Sequence, residues 1–131
     1  MRNFTRLKVW QKAHKLVPDL YAVTNRFPVS ERFGLISQIR RAAVSGPANM
    51  AEGYGHEKDR RLVSYLRIPL SSSSEQSYHL VLRRDLKHIE PKGDKKHTNQ
   101  LDEVQGMLGG LTNIVIGRAS GAHGRRPEAR S

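Results

Sequence analysis

Four stretches of the chain place apolar residues at steps of three and four, the period of a helix packed by one face. In the first, residues 4–25, Leu7, Trp10, His14, Val17, Tyr21 and Thr24 line up, with Ala13 and Leu20 beside them. Pro18 lies inside this helix and is expected to bend or split it, at a cost of about 3 kcal/mol. Phe27-Pro28 ends the stretch, and Ser30 is placed to cap the next helix. The second carries Ile36, Ile39, Ala43, Gly46 and Met50, with Pro47 in its middle as an expected kink and Gly53 and Gly55 at its end.

The third stretch, 58–88, traces Leu62, Leu66, Leu70, Ser73, Ser77 and Leu80, extended by Val81, Leu82 and Leu86. Pro69 followed by Ser71 to Ser74 is poor helix material, because serine hydroxyls compete for backbone groups; the pattern leaves its continuity open. Serines at core positions would also permit close helix packing. Residues 88–97 read as a loop by their Pro and Gly content, and Asn99 with Asp102 and Glu103 as a helix start. Leu101, Val104, Leu108, Leu111 and Val115 then form the cleanest seam in the chain, with Gly106, Gly109 and Gly110 as candidates for a close crossing. From residue 117 to 131 no apolar period remains, and a basic, disordered tail is expected. No strand pattern is present. The expectation is an all-α, antiparallel up-down-up-down four-helix bundle over 1–116, its helices kinked at the prolines.

The second stretch carries more than a core face. Gln38, Arg41, Ser45, Asn49 and Glu52 repeat on its opposite side, with Ala42, Ala43, Ala48 and Ala51 on the flanks. Small flanking residues let another backbone approach. Gln38, Ser45, Asn49 and Glu52 are therefore candidate subunit contacts.

Gln38-Ile39-Arg40-Arg41-Ala42-Ala43-Val44-Ser45, then Pro47-Ala48-Asn49 and Ala51-Glu52-Gly53, resemble the signature of the four-helix-bundle proteins encoded in intervening sequences of bacterial 23S rRNA genes. The resemblance includes Phe4, Leu7, Val9-Trp10-Gln11-Lys12-Ala13-His14, Phe27-Pro28, Glu31-Arg32-Phe33-Gly34-Leu35, Tyr65-Leu66 and Arg84-Asp85-Leu86, over about residues 4–116. It implies the same four-helix fold and assembly into a homopentamer. Accessory proteins of retroelement reverse transcriptases are similar in architecture, which implies a scaffold holding RNA and a polymerase as a further partner.

Composition narrows the chemistry. The chain has 131 residues, one domain's worth, and 23 Lys plus Arg stand against 12 Asp plus Glu, a formal charge of +11. Such an excess favours RNA, DNA or another acidic surface. There is no cysteine, so no disulfide framework or thiolate metal site exists. Nothing at the N-terminus resembles a signal peptide and no stretch approaches the roughly 20 apolar residues of a membrane span; a cytoplasmic location and no membrane partner are expected.

Glu75 and His79 are four apart, Glu52 and His56 are separated by Gly53 and Gly55, and the other histidines form no pair at ligand spacing. Gly53-Tyr54-Gly55 lacks the third glycine and the strand of a nucleotide fingerprint. No metal, cofactor or enzymatic activity is expected. What remains is cationic: Arg40, Arg41, Lys58, Arg60, Arg61, Arg83, Arg84 and Lys87 are the candidate nucleic-acid contacts, and Lys92, Lys95 and Lys96 form a further cluster. Of the aromatics, Tyr54, Tyr65 and Tyr78 accompany the cations, without a base-stacking platform. Binding would thus read charge and shape. The alternative is a structural or adaptor oligomer for an acidic protein partner.

Overall fold

The computed structural model describes residues 2–124, which form four α-helices and no strand. A 3-10 turn (Phe4–Arg6) leads into α1 (Lys8–Thr24); a second (Val29–Glu31) precedes α2 (Leu35–Tyr54); α3 (Asp59–Asp85) and α4 (Pro91–Gly124) follow. None of these helices is long and apolar enough to cross a membrane.

Each helix packs on its sequence neighbours, and α1 also meets α4. Partners step up one helix as they step down the other. Arg41 and Ser45 of α2 meet Glu75 and Ser72 of α3. Ser77 and Asp59 of α3 meet Gln105 and Arg118 of α4. The core divides into two apolar layers. One gathers Val9, Ala13, Met50, Leu62, Leu66, Val104, Leu108 and Val115; the other gathers Leu16, Leu20, Phe27, Leu35, Ile39, Ala43, Leu80 and Leu101.

Small residues let α2 and α3 come close along their contact. A Cβ added to Gly46 would stand 3.9 Å from the Pro69 Cβ, while one at Gly53 would stand 2.7 Å from the Tyr65 Cβ. Gly53 is thus required by the approach of α3, beyond its role near the helix end. Ser72 and Ser73 are buried here. The Ser72 hydroxyl donates to Ser45 Oγ at 3.1 Å, and Ser73 and Ser74 donate back to the Leu70 carbonyl at 2.8 and 3.3 Å. The hydroxyls bond to their own helix or its neighbour, which is how a Pro/Ser-rich segment continues α3 unbroken.

Pro18, Pro47 and Pro69 all lie inside helices whose assignment is continuous, so the expected split of α1 is not found. The helical face of α1 is also rotated from the expected seam. Val9, Ala13, Leu16, Leu20 and Thr24 are buried, whereas His14 and Tyr21 are exposed. Trp10 belongs to the flank, where its ring stacks on His14 at 4.8 Å and its Nε1 donates to the Pro47 carbonyl at 3.1 Å.

The last helix departs furthest from expectation. It begins at Pro91 and not near Asn99, because proline suits a first helical position where no N–H partner is needed. It also runs past residue 117, the expected start of a disordered tail. Arg118 reaches Asp59 at 3.4 Å from within this helix. Residues 125–131 of that expected tail lie outside the described residues. Gly106, Gly109 and Gly110 mark no crossing among the described residues: a Cβ at each would meet nothing within 4 Å there.

Candidate nucleic-acid interface

The eight candidate cations do not form one patch. Arg83, expected on the surface, lies in the interior. It is fully buried, 0% exposed, with Nη2 3.4 Å from Asp94 Oδ1, and no polymer can reach it there. Burial lowers its pKa and Asp94 opposes that fall. Sequence periodicity missed this because Arg83 follows Gln76 and His79 on a face of α3 that is both polar and buried.

Arg40 is committed to the fold. Its Nε donates to Thr24 Oγ1 at 2.9 Å, its Nη2 to the Tyr21 carbonyl at 3.2 Å and to Asn25 Oδ1 at 2.8 Å. The guanidinium lies 4.7 Å from the Tyr21 ring centroid. It closes the carbonyl end of α1, where a cation is favoured. Arg41 is exposed and pairs with Glu75 at 3.4 Å.

Lys58, Arg60 and Arg61 surround the first turn of α3, at the end of the bundle holding the α2–α3 connection, and all three are exposed. Arg60 lines a shallow cleft of about 240 Å3 with Val63, Arg67, Ile116, Ala119 and Ser120. The one acid in that first turn, Asp59, is already engaged by Arg2 at 3.1 Å and Arg118 at 3.4 Å.

Arg84 and Lys87 lie at the opposite end, where the α1–α2 and α3–α4 loops meet. His88 Nε2 bonds Glu31 Oε2 at 2.9 Å, and the Phe27 ring packs 5.3 Å from His88. Lys87 takes φ 62°, the left-handed conformation usually left to glycine. Its N–H donates to the Arg84 carbonyl at 3.0 Å, and the next N–H, of His88, donates to the Arg83 carbonyl at 2.9 Å. This pair of bonds closes α3 and projects a lysine from its corner. Arg84, Lys87, Ile89, Glu90, Pro91 and Asp94 line a cleft of about 420 Å3 there.

This loop end gathers cations that the sequence scattered. Arg26, Arg32, Lys87, Lys92, Lys95 and Lys96 are all exposed. Of the nearby acids, Glu31 is bound by His88, Asp94 by Arg83, and Asp85 lies 3.5 Å from Arg84, while Glu90 is exposed among the cations. Arg26 and Arg32 were not among the candidates, because they sit outside every helical stripe. Phe33 was missed for the same reason: it lies between Pro28 and Gly34, in a loop, and is 90% exposed.

The candidate subunit contacts divide as well. Ser45 and Asn49 are half-buried, and Asn49 Nδ2 donates to the Ser45 carbonyl at 2.8 Å. With Ser72 on Ser45, this pair serves the packing of α2 on α3 inside the chain. Gln38 and Glu52 are exposed. Among the described residues no group of three His, Cys, Asp or Glu residues could hold a metal.

The molecule is thus an all-α, four-helix protein with basic residues at both ends. Residues 5–110 match the model of the 23S rRNA-intervening sequence protein family, and the chain belongs to that family. A solved structure with the same fold is that of a protein of unknown function from the S23 ribosomal protein family of Bacteroides thetaiotaomicron, determined at 1.70 Å. The two share 20% identity over 80% of this chain and 95% of that one, with a TM-score of 0.73. No curated protein matches the chain.

Proposed function

We propose that the protein is a non-enzymatic, cytoplasmic nucleic-acid-binding module that grips RNA by charge and shape at the loop end of its bundle. The observation that carries this reading is the cation cluster there, with Lys87 held at φ 62° on the corner of α3. A non-glycine residue in that conformation costs about 1–2 kcal/mol. A glycine would close the helix at lower cost, so the side chain is what the position gains. Cations placed on this scale release counterions from a phosphate backbone and bind without base recognition.

Changing Lys87, Lys92, Lys95 and Lys96 together to Glu is expected to abolish filter binding to RNA while leaving helicity intact. Milder neutralisation of the four should reduce the slope of log affinity against log salt by roughly 3 for single strands. Unchanged affinity and slope would reject this surface. Arg40 is left out of the test because its loss would also uncap α1.

Assembly belongs to the same reading. An apolar groove of about 300 Å3 runs between α1 and α2, lined by Phe4, Trp10, His14, Val17, Val44, Pro47, Ala48 and Ala51. Its occupant is a second copy, seated beside the exposed Gln38 and Glu52, and the subunit number expected from the family resemblance is five. Several copies of a weak basic end would raise avidity without new contacts. Light scattering should give a mass near five chains, and Ala48→Glu should shift it toward one. A monomeric wild-type chain would remove assembly and leave only the single-chain surface. A polymerase such as a reverse transcriptase would join such an assembly as a third component.

A further inference from the structure

Phe33 is the most exposed large apolar residue of the described chain, at 90%, and Val29 on the same loop follows at 79%. Neither is a frayed end. The 3-10 turn before Phe33 is closed by Glu31 N–H to the Pro28 carbonyl at 2.9 Å and Arg32 N–H to the Val29 carbonyl at 3.0 Å. Gly34 N–H then donates to the Glu31 carbonyl at 3.1 Å, and Gln38 N–H to the Gly34 carbonyl at 3.1 Å. Below it the loop is anchored by Phe27, buried in the core, and by the Glu31–His88 bond. A hydrogen-bonded loop thus holds an aromatic ring in water, with Val29 exposed on the same loop.

Charge says what covers it. Arg32 sits with its guanidinium 5.9 Å from the Phe33 ring centroid, and Arg26 and Lys87 are exposed at the same end of the bundle. A ligand that satisfies both features must combine a flat aromatic surface with repeated negative charge. Unpaired nucleotides do so: every base offers a π-face and every linkage a phosphate. A paired duplex buries its faces and offers the phosphates alone.

We infer that Phe33, flanked by Arg32, is a base-stacking platform that selects single-stranded over duplex RNA, an inference that rests on the nucleic-acid reading above. The cations around it supply affinity that is indifferent to strandedness; the ring supplies the difference. The discrimination is by exposure of bases and not by their sequence, since stacking accepts any base.

The test is fluorescence anisotropy of the full-length protein with a labelled 12-nucleotide single-stranded RNA and a 12-base-pair RNA duplex, at two salt concentrations. Phe33→Ala should weaken single-strand binding about ten- to a hundredfold and leave duplex binding within twofold, because one stacked base carries that much affinity. Phe33→Trp should restore the single-strand affinity. The salt slope should stay unchanged, since no cation is removed. Phe33 packs on little of its own chain, so circular dichroism and melting should match the wild type. Equal affinities of Phe33→Ala and wild type for the single strand would overturn the platform while leaving the charge reading intact. So would an equal loss on both RNAs. Wild-type protein that binds neither RNA would overturn both readings. Co-sedimentation with vesicles of anionic and zwitterionic lipid in equal parts, lost in Phe33→Ala while RNA binding persists, would overturn the inference in favour of a membrane surface.

Discussion

Asp94→Ala is expected to lower the stability of the fold by about 3–5 kcal/mol, read as a fall in the urea midpoint with an unchanged slope. The reason lies with its partner. Arg83 is fully buried, and Asp94 is the acid that neutralises it across 3.4 Å. Nε and Nη1 of Arg83 find no hydrogen-bond acceptor among the described residues, so the guanidinium is already short of partners. Removing the carboxylate would leave a charge in the bundle interior with nothing opposite it. Asp94 also stands in the first turn of α4, where a negative group suits the exposed N–H groups. A paired replacement, Arg83→Met with Asp94→Leu, should recover most of the loss, because an apolar pair needs no neutralisation. A single-variant loss below about 1 kcal/mol would mean that water reaches Arg83 freely.

Stability should also fall as the solution is made acidic, starting near the ordinary histidine pKa of about 6.5. His79 and His97 are both buried, and both have pKa values lowered by burial first. For His79 the attraction of Glu75, 3.2 Å away, opposes the shift, and Arg41 adds to it. For His97, Arg83 adds to it and Asp19 opposes it. A histidine whose folded pKa lies below its unfolded value binds its proton more readily when unfolded. Its contribution is complete above the unfolded pKa and drains away as pH falls toward the folded one. Each group limits the slope to about 1.4 kcal/mol per pH unit, and the acid limb starts at about pH 6.5 and runs down toward the folded values. Melting temperatures at pH 7.5 and 5.0 measure it, and replacing both residues by Gln should flatten the difference. An acid limb unchanged in that double variant would assign the effect to other groups.

The seam of α4, from Leu101 to Val115, and the core stripe of α2 could be read from spacing because both faces are apolar and unbroken. Spacing failed where burial and polarity coincide. Arg83, His79, Gln76 and His97 are buried polar groups, and a helical wheel assigns such residues to solvent. The rotation of α1 has a related cause: Trp10, His14 and Tyr21 are large rings on the flank, and their size outweighs Val9 and Leu16 in any apolar count. The start of α4 was hidden by its composition, since Pro91 and Gly93 read as breakers until the geometry shows Pro91 at a first turn. Of the candidate interface, the lysines were legible as a charge surplus. Their gathering with Arg26, Arg32 and Phe33 was not, because it depends on two loops meeting through His88 and Glu31.

The glycines of α4 have one more consequence. Gly106, Gly109, Gly110 and Gly117 carry no side chain to pack, and among the described residues open space lies where a methyl group would stand. Each such residue weakens a helix by roughly 0.5–1 kcal/mol relative to alanine. The stretch of α4 beyond Val115, where Ile116, Gly117 and Arg118 are all exposed, is therefore the part of that helix expected to fray first. Its amide protons should be the earliest to trade with solvent, while those of α2 and the first half of α3 are still locked.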